Sequence, residues 1–220
     1  MPSAEVLWAF LGALLLLEIT PGPDMMLVMA RGVGQGRRTA LCTVIGMVFV
    51  AGIVQISLLV LGLAALAAAY PMALTALQWV GAAYLVWLGI KTLRTPSAPP
   101  SQVRATPAIS DLQAIRQGAI NSLTNPKSLL FMFAFLPQFV DAAQGPVWSQ
   151  LLVLGTLQKL TGIASLGTVA LAAGAVGQWL QRHPTMWSWP EKFTGLVMLG
   201  LGIRLLLTDT ASSTSAALKA

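Results

Sequence analysis

The sequence predicts an all-α membrane protein, because charged residues are scarce, apolar segments are long and the two halves of the chain resemble each other. Of 220 residues, 56% are hydrophobic and only 9% are charged, whereas soluble domains carry roughly 25% charged residues. A soluble protein of this size needs a wettable surface. A surface that faces lipid removes that need, so the composition argues against an ordinary soluble domain.

Six segments are long and apolar enough to cross a membrane. A hydrocarbon core of about 30 Å takes about 20 apolar residues of α-helix. Residues 39–69 contain no charge at all, whereas the fourth segment is the weakest because it carries Lys127. We predict transmembrane helices within residues 6–30, 39–69, 71–90, 118–138, 147–180 and 187–207.

Basic residues are distributed unevenly between the predicted loops. The loops after the first, third and fifth helices carry nine Lys and Arg residues against two acids, and the opposite side carries two basic residues. Cytoplasmic loops are the ones enriched in Lys and Arg. We therefore expect a multi-pass protein of the cell inner membrane with both termini outside the cytoplasm. The bias accounts for the net charge of +6, and without a basic helix or an aromatic-studded basic patch we expect no nucleic-acid partner.

A proline-rich polar stretch at residues 95–110 divides the chain and is typical of an extended linker. We predict a first three-helix unit at residues 1–94, this cytoplasmic linker, a second three-helix unit at residues 111–208 and a flexible tail at residues 209–220.

The two halves share short sequences in the same order. T-P-G-P-D at residues 20–24 matches L-T-N-P-K at residues 123–127, and L-G-I-K at residues 88–91 matches L-G-I-R at residues 201–204. The offsets are 103 and 113 residues. Three crossings in each half make the repeat inverted, and inverted repeats with interrupted helices are a recurring transporter design.

Proline and glycine interrupt the first and fourth predicted helices. Pro21 and Pro23 remove two backbone donors and Gly22 weakens the helix, while Asn125-Pro126 can break the other helix. Broken backbone inside a membrane must face protein or a water-filled cavity. We expect the two breaks to meet and to bind a small zwitterion or an anionic group, although two kinks that serve only packing remain an alternative.

Four ionisable residues fall within predicted helices: Glu18, Asp24, Lys127 and Lys159. Each would cost about 2.5–3.5 kcal/mol if it faced lipid at the membrane centre. Pairing inside the protein is one role for them. Alternatively, Asp24 or Glu18 exchanges protons or contacts a substrate ammonium, and Lys127 contacts a substrate carboxylate. The polar residues Gln55, Asn121 and Gln158 could line the same cavity, or could form helix–helix hydrogen bonds.

Three blocks of sequence resemble the LysE/RhtB family of amino-acid exporters. They are T-P-G-P-D with the following R-G-x-x-x-G-R-R, residues 80–94, and T-N-P-K-S followed by F-L-P-Q-F. The resemblance implies six helices in an inverted repeat, and a secondary exporter of amino acids driven by the proton-motive force, without a cofactor. Lys159 is a charge that the motif does not predict. The family motif places substrate or proton binding at Pro21, Gly22, Pro23, Asp24, Asn125, Pro126 and Lys127.

Two other classes of function remain in view. A cation or metal-ion transporter of related architecture would need more intramembrane acids and fewer lysines. The sequence lacks the residues that an intramembrane enzyme needs. The one histidine, His183, falls in a predicted loop, which leaves no Ser-His pair or histidine metal site within the membrane. We therefore expect no catalytic residue and no metal site. Besides its substrate, protons and lipids, we consider a homodimer, since small residues such as Ala170 and Gly174 can pack helices within one chain or between two.

Overall fold

The computed structural model describes residues 3–19, 22–94 and 107–182, with short helical stretches at 192–193, 195–196, 199–200 and 202–203. This part of the chain is helical and contains no strand, so the predicted all-α class is confirmed for it. The α-helices between residues 3 and 182 are α1 (Ala4–Ile19), α2 (Pro23–Gln35), α3 (Arg37–Ile45), α4 (Ala51–Ser57), α5 (Ala64–Ala69), α6 (Pro71–Arg94), α7 (Asp111–Thr124), α8 (Pro126–Leu130) and α9 (Val147–Arg182).

Short segments of other helix types join several of these helices. Two π-helical segments, Gly46–Val50 and Leu58–Leu63, connect α3, α4 and α5 into one continuous helix over residues 37–69. Helix α8 continues through a π segment, Phe131–Phe135, and a 3-10 turn, Leu136–Phe139, and a second 3-10 turn spans Ala142–Gln144. A π segment widens a helix by one residue and commonly lies near a functional site.

The helices fall where the apolar segments predict them. Among the described residues, two helices are long and apolar enough to cross a membrane, at Arg37–Leu63 and Val147–Ala173, and shorter apolar helices lie at Ala4–Leu15 and Trp79–Lys91. The first and fourth predicted spans are each divided into two helices. The sixth span and the linker at residues 95–110 lie largely outside the described residues, and the tail lies wholly outside them, so the count of six spans remains a prediction.

Both interruptions place a proline at the first position of the new helix. Gly22 is extended, with φ −143° and ψ −178°, and Pro23 begins α2. Asn125 caps α8 because its Oδ1 accepts a hydrogen bond from the Lys127 amide at 3.0 Å, and Pro126 is the first residue of that helix. Proline suits this position because a helix leaves its first amides unpaired. Asp24 and Lys127 are therefore each the second residue of a helix that starts within the apolar region.

Two hydrophobic clusters hold these helices together. The first joins α1 to the π segments and α9 through buried residues such as Phe10, Leu59 and Leu154. The second joins α2, the helix of residues 37–69 and α9 through Val28, Met47 and other buried residues. Ala170 is fully buried within this second cluster, so it packs inside the chain, and whether a dimer forms remains a prediction.

Polar contacts link the turn between α2 and α3 to the start of α7. Arg38 Nη2 lies 2.6 Å from Asp111 Oδ2, and Arg31 donates a hydrogen bond to Gln117. The hydrogen bond from the Arg38 guanidinium lowers the pKa of the Asp111 carboxyl. The pair is exposed and contributes little stability. All four residues lie in the predicted loops after the first and third transmembrane segments, and the charge bias predicts that these loops are on the same side of the membrane.

The sequence repeat L-G-I-K/R marks a contact between α6 and the last described residues. A Cβ added at Gly89 would lie 2.8 Å from the Leu199 amide nitrogen, and one added at Gly202 would lie 2.9 Å from the Val86 amide nitrogen. The two contacts exchange under the 113-residue offset, since Gly89 corresponds to Gly202 and Val86 to Leu199. Partner numbers fall as residue numbers rise, so the two segments pack antiparallel with a reciprocal contact.

Glycine also permits the closest approach between the helix of residues 37–69 and α7. A Cβ on Gly46 would overlap the Ile115 carbonyl oxygen, and a Cβ on Gly118 would overlap the Thr43 carbonyl oxygen. Small residues at such crossings are typical of membrane helices. The two backbones therefore pack in direct contact along this face.

We predict that Gly46→Ala destabilises the protein by about 1–3 kcal/mol, the usual cost of overpacking. Gly167→Ala on α9 is the matched control, because a Cβ there meets no atom within 4 Å. In a helix that change stabilises by roughly 0.5–1 kcal/mol. Thermal unfolding of the purified protein in detergent measures both variants. Equal shifts in the unfolding midpoint would contradict the close approach of α7.

Candidate functional site

A small cavity lies where the two helix interruptions meet α9 and the helix of residues 37–69. The volume open to the centre of a water molecule is about 60 Å³, and one water needs roughly 10–15 Å³ of such space. The cavity can therefore hold a few waters or the head group of an amino acid. Seven of the residues predicted from the sequence line it, namely Glu18, Gly22, Asp24, Asn125, Lys127, Gln158 and Lys159.

Asp24 joins the first interrupted helix to the second. Its Oδ1 accepts a hydrogen bond of 2.7 Å from Asn121 Nδ2 on α7. Asp24 lines the cavity, whereas Asn121 does not. Asn121 orients the Asp24 carboxylate through this hydrogen bond. A charged acceptor makes this bond stronger than a neutral amide pair. The acid is thus held in place by the opposite half of the chain.

Lys127 makes the corresponding contact in the other direction. Its Nζ donates a hydrogen bond of 2.8 Å to the Leu17 carbonyl oxygen near the end of α1, and its ammonium interacts electrostatically with Glu18. A Cβ on Gly22 would lie 2.9 Å from Lys127 Cδ, so glycine leaves room for the lysine stem. Opposite charge close by is what makes a buried ammonium tolerable.

The partners of the two interruptions correspond under the 103-residue offset. Asp24 corresponds to Lys127, and Asn121 corresponds to Glu18. The hydrogen bond between Asp24 and Asn121 therefore maps onto the electrostatic interaction between Lys127 and Glu18. Each half offers one charged residue at the start of its second helix and one polar partner from the end of its first.

Lys159 connects three helices. Its Nζ donates to Gln55 Oε1 at 2.5 Å, and Gln55 Nε2 donates to the Ser122 carbonyl oxygen at 3.1 Å. Gln55 is completely buried and does not line the cavity. Gly52 leaves space for the lysine, since a Cβ there would lie 3.2 Å from Lys159 Cδ. The charge that the family motif did not predict thus lies in the same cavity as the others.

The remaining predicted residues lie elsewhere. Pro23 is exposed, and Pro21 lies outside the described residues. Pro126 borders a separate apolar groove with Tyr84 and Phe133. Pro23 and Pro126 each begin a helix, and neither lines the cavity.

Several cavity residues were not among the predicted site residues. On α9 they follow helical spacing from Lys159, as Gly162 and Leu166 lie three and seven residues further on, which is the signal that could have found them. The full set of additional lining residues is Leu17, Met25, Met47, Val48, Ser122, Ser128, Gly162 and Leu166.

The four charged groups decide what the cavity can bind. Two carboxylates and two ammonium groups balance each other, so the site attracts neither a bare anion nor a bare cation strongly. A zwitterion, with one charge of each sign, can pair with both kinds of group at once. Within the described residues no group of three or more His, Cys, Asp or Glu side chains is placed to hold a metal ion.

This arrangement, charged groups of both signs in a cavity between interrupted apolar helices, defines a membrane transporter of small solutes. The chain belongs to the LysE type translocator family, whose model matches residues 15–209. The expected family is thereby confirmed. No solved structure matches the chain.

Similar proteins from bacteria cover almost the whole chain. An uncharacterised membrane protein of Vibrio cholerae is 34% identical, over 90% of this chain and 94% of its own length. A homoserine/homoserine lactone efflux protein of Salmonella typhimurium is 31% identical, over 87% and 92%. A leucine efflux protein of Enterobacter is 26% identical, over 90% and 93%. The chain is thus a membrane transporter similar to amino-acid efflux proteins.

We predict that Gln55→Leu destabilises the protein by about 1.5–3 kcal/mol, because the buried Lys159 ammonium loses its acceptor. Lys159→Met in the same background should restore much of the loss, since it removes the unpaired charge. Unfolding midpoints of both single variants and the double variant form a thermodynamic cycle. Strictly additive effects would show that the two side chains do not interact.

Proposed function

We propose that this protein exports a small amino acid or a related zwitterionic metabolite from the cytoplasm in exchange for protons. One observation carries the proposal: a single cavity presents two carboxylates and two ammonium groups at the junction of two helix interruptions. Relatives named as leucine and homoserine efflux proteins support the substrate class.

The basic and acidic groups of the cavity bind opposite ends of the substrate. The substrate α-carboxylate pairs with Lys127 and Lys159, and its ammonium pairs with Asp24 and Glu18. Charge-assisted hydrogen bonds of this kind are stronger than neutral ones, and the apolar surroundings strengthen them further. Each protein group already has a partner, so substrate binding exchanges one set of contacts for another rather than adding charge to the membrane interior.

The same exchange offers a route to proton coupling. When the substrate ammonium leaves, a carboxylate of the pair Glu18 and Asp24 can take a proton in its place. Chains of intramembrane acids serve as proton relays in many transporters. A carboxylate that holds either a proton or an ammonium, but not both, couples the two movements in opposite directions.

An inverted repeat of two three-helix units is the architecture we propose for the movement. The support is the reciprocity of two independent sets of interactions. The hydrogen bond of Asp24 with Asn121 corresponds to the electrostatic interaction of Lys127 with Glu18, and the contact of Gly89 with Leu199 corresponds to that of Gly202 with Val86. Rocking of one repeat against the other is the usual form of alternating access. A cation transporter is less favoured, since Lys127 and Lys159 would repel a bare cation in this cavity.

We predict that Asp24→Asn lowers export at least tenfold. Loss of one charge-assisted hydrogen bond amounts to about 1.5–3 kcal/mol, and 1.4 kcal/mol is a factor of ten. Cells loaded with amino acids by dipeptide feeding report the efflux of each amino acid. Asp141→Asn is the matched control, because this aspartate is exposed and only caps the 3-10 turn through the Ala143 amide.

Three results of that experiment would count against the proposal. Failure of the native protein to export any amino acid would remove the substrate class. Normal export by Asp24→Asn would show that the carboxylate neither binds substrate nor carries protons. Export that continues unchanged when an uncoupler collapses the proton gradient would remove proton coupling while leaving the substrate class intact.

We predict that Ala4→Cys is labelled from outside the cell and Ala108→Cys only after the membrane is opened. Both alanines are exposed, and both variants are made with Cys42→Ser, which removes the only native cysteine. A membrane-impermeant maleimide is the reagent. Labelling of Ala108→Cys in intact cells would reverse the orientation inferred from the basic loops.

A further inference from the structure

One side-chain oxygen on a residue of the cavity has no hydrogen-bond donor. Gln158 on α9 is 5% exposed, and its Oε1 accepts no hydrogen bond within the described part of the chain. A buried carbonyl without a donor is costly, and in native structures such a group calls for an explanation, of which a bound water, ion or ligand is one. The only other buried side-chain atom without a partner among these residues is Arg31 Nε. Arg31 does not line the cavity.

The neighbouring groups show which donor is missing. Lys159, next in sequence, is directed to Gln55. A substrate ammonium pairs better with the carboxylates of Glu18 and Asp24 than with a neutral carbonyl. A substrate carboxylate only accepts hydrogen bonds and cannot serve Gln158. A water molecule can be the donor while no solute is bound. A solute that displaces this water must supply the donor from the rest of its structure, which means its side chain.

The walls around Gln158 limit the size and polarity of that side chain. Met47, Val48 and Leu166 line the same cavity and would contact the carbon atoms of a short side chain. With about 60 Å³ open to the centre of a water molecule, a hydroxyl group is a better fit than a bulkier carboxamide.

Building on the proposed function, we propose that Gln158 is a specificity-determining residue that accepts a hydrogen bond from a hydroxyl group on the side chain of the exported amino acid. A site built to pair with a hydroxyl group discriminates strongly against the isostere that lacks it, because the protein carbonyl is then left unpaired. An aliphatic solute would leave the Gln158 carbonyl without a hydrogen-bond donor.

The test uses L-threonine and L-valine, which have nearly the same shape and differ by a hydroxyl group. The purified full-length protein in proteoliposomes should transport threonine about tenfold faster than valine at equal low concentration. With Gln158→Met, threonine transport should fall until the two rates agree within about twofold. Valine transport should not fall. Thr156→Val is the control, since this residue lies on α9 but is exposed, and it should keep the native ratio.

The variant is expected to fold, because methionine is of similar length and removes a buried oxygen that has no hydrogen-bond donor. A second measurement does not depend on reconstitution: threonine should raise the unfolding midpoint of the native protein in detergent more than valine does, and Gln158→Met should abolish the difference.

The outcomes separate this inference from the proposed function. If the native protein transports amino acids with no preference for threonine, or if Gln158→Met keeps the preference, Gln158 does not read a hydroxyl group, and export of amino acids still stands. If Gln158→Met slows threonine and valine equally, the residue has only a structural role. If the native protein transports neither solute nor any other amino acid, both proposals fail.

Discussion

Charge held among apolar helices is the constraint on which the other features depend. Glu18, Asp24, Lys127 and Lys159 meet in one cavity, and each would be costly if it faced lipid. Contacts from other helices hold three of them: Asn121 binds Asp24, Gln55 binds Lys159, and the Leu17 carbonyl oxygen binds Lys127. The helices that carry these partners must approach closely, and glycines leave room for both lysine side chains: Gly22 for Lys127 and Gly52 for Lys159.

The interruptions serve the same constraint. A continuous helix would leave the Leu17 carbonyl oxygen close to the amides of the next turn, where it could not accept a hydrogen bond freely from a lysine. The interruption of the helix between α1 and α2 leaves the Leu17 carbonyl oxygen free inside the protein, where it accepts a hydrogen bond from Lys127. Broken backbone in a membrane is tolerated when it is satisfied in this way.

Much of the fold and part of the site could be predicted from the sequence. Apolar length and proline position predicted the helices and the interruptions, since both are local properties of the chain. The scarcity of intramembrane charge identified Asp24, Lys127 and Lys159. The neutral residues were harder: Gly52 and Gly162 gave no chemical signal, and the missing partner of Gln158 depends on distances between helices. Pro126, a residue of the motif, borders another groove, which is again a matter of distances between helices that the motif alone does not give.

The exchange of an acid for a base between the halves has an energetic meaning. A transporter built from two identical inverted halves would have inward- and outward-open forms of equal energy, because one is the other turned over. Here Asp24 takes the place of Lys127 when the halves are superposed. If the proposed inverted repeat alternates in this way, the two forms differ electrostatically, the protein without solute has a preferred resting side, and the membrane potential acts on that preference as well as on the solute.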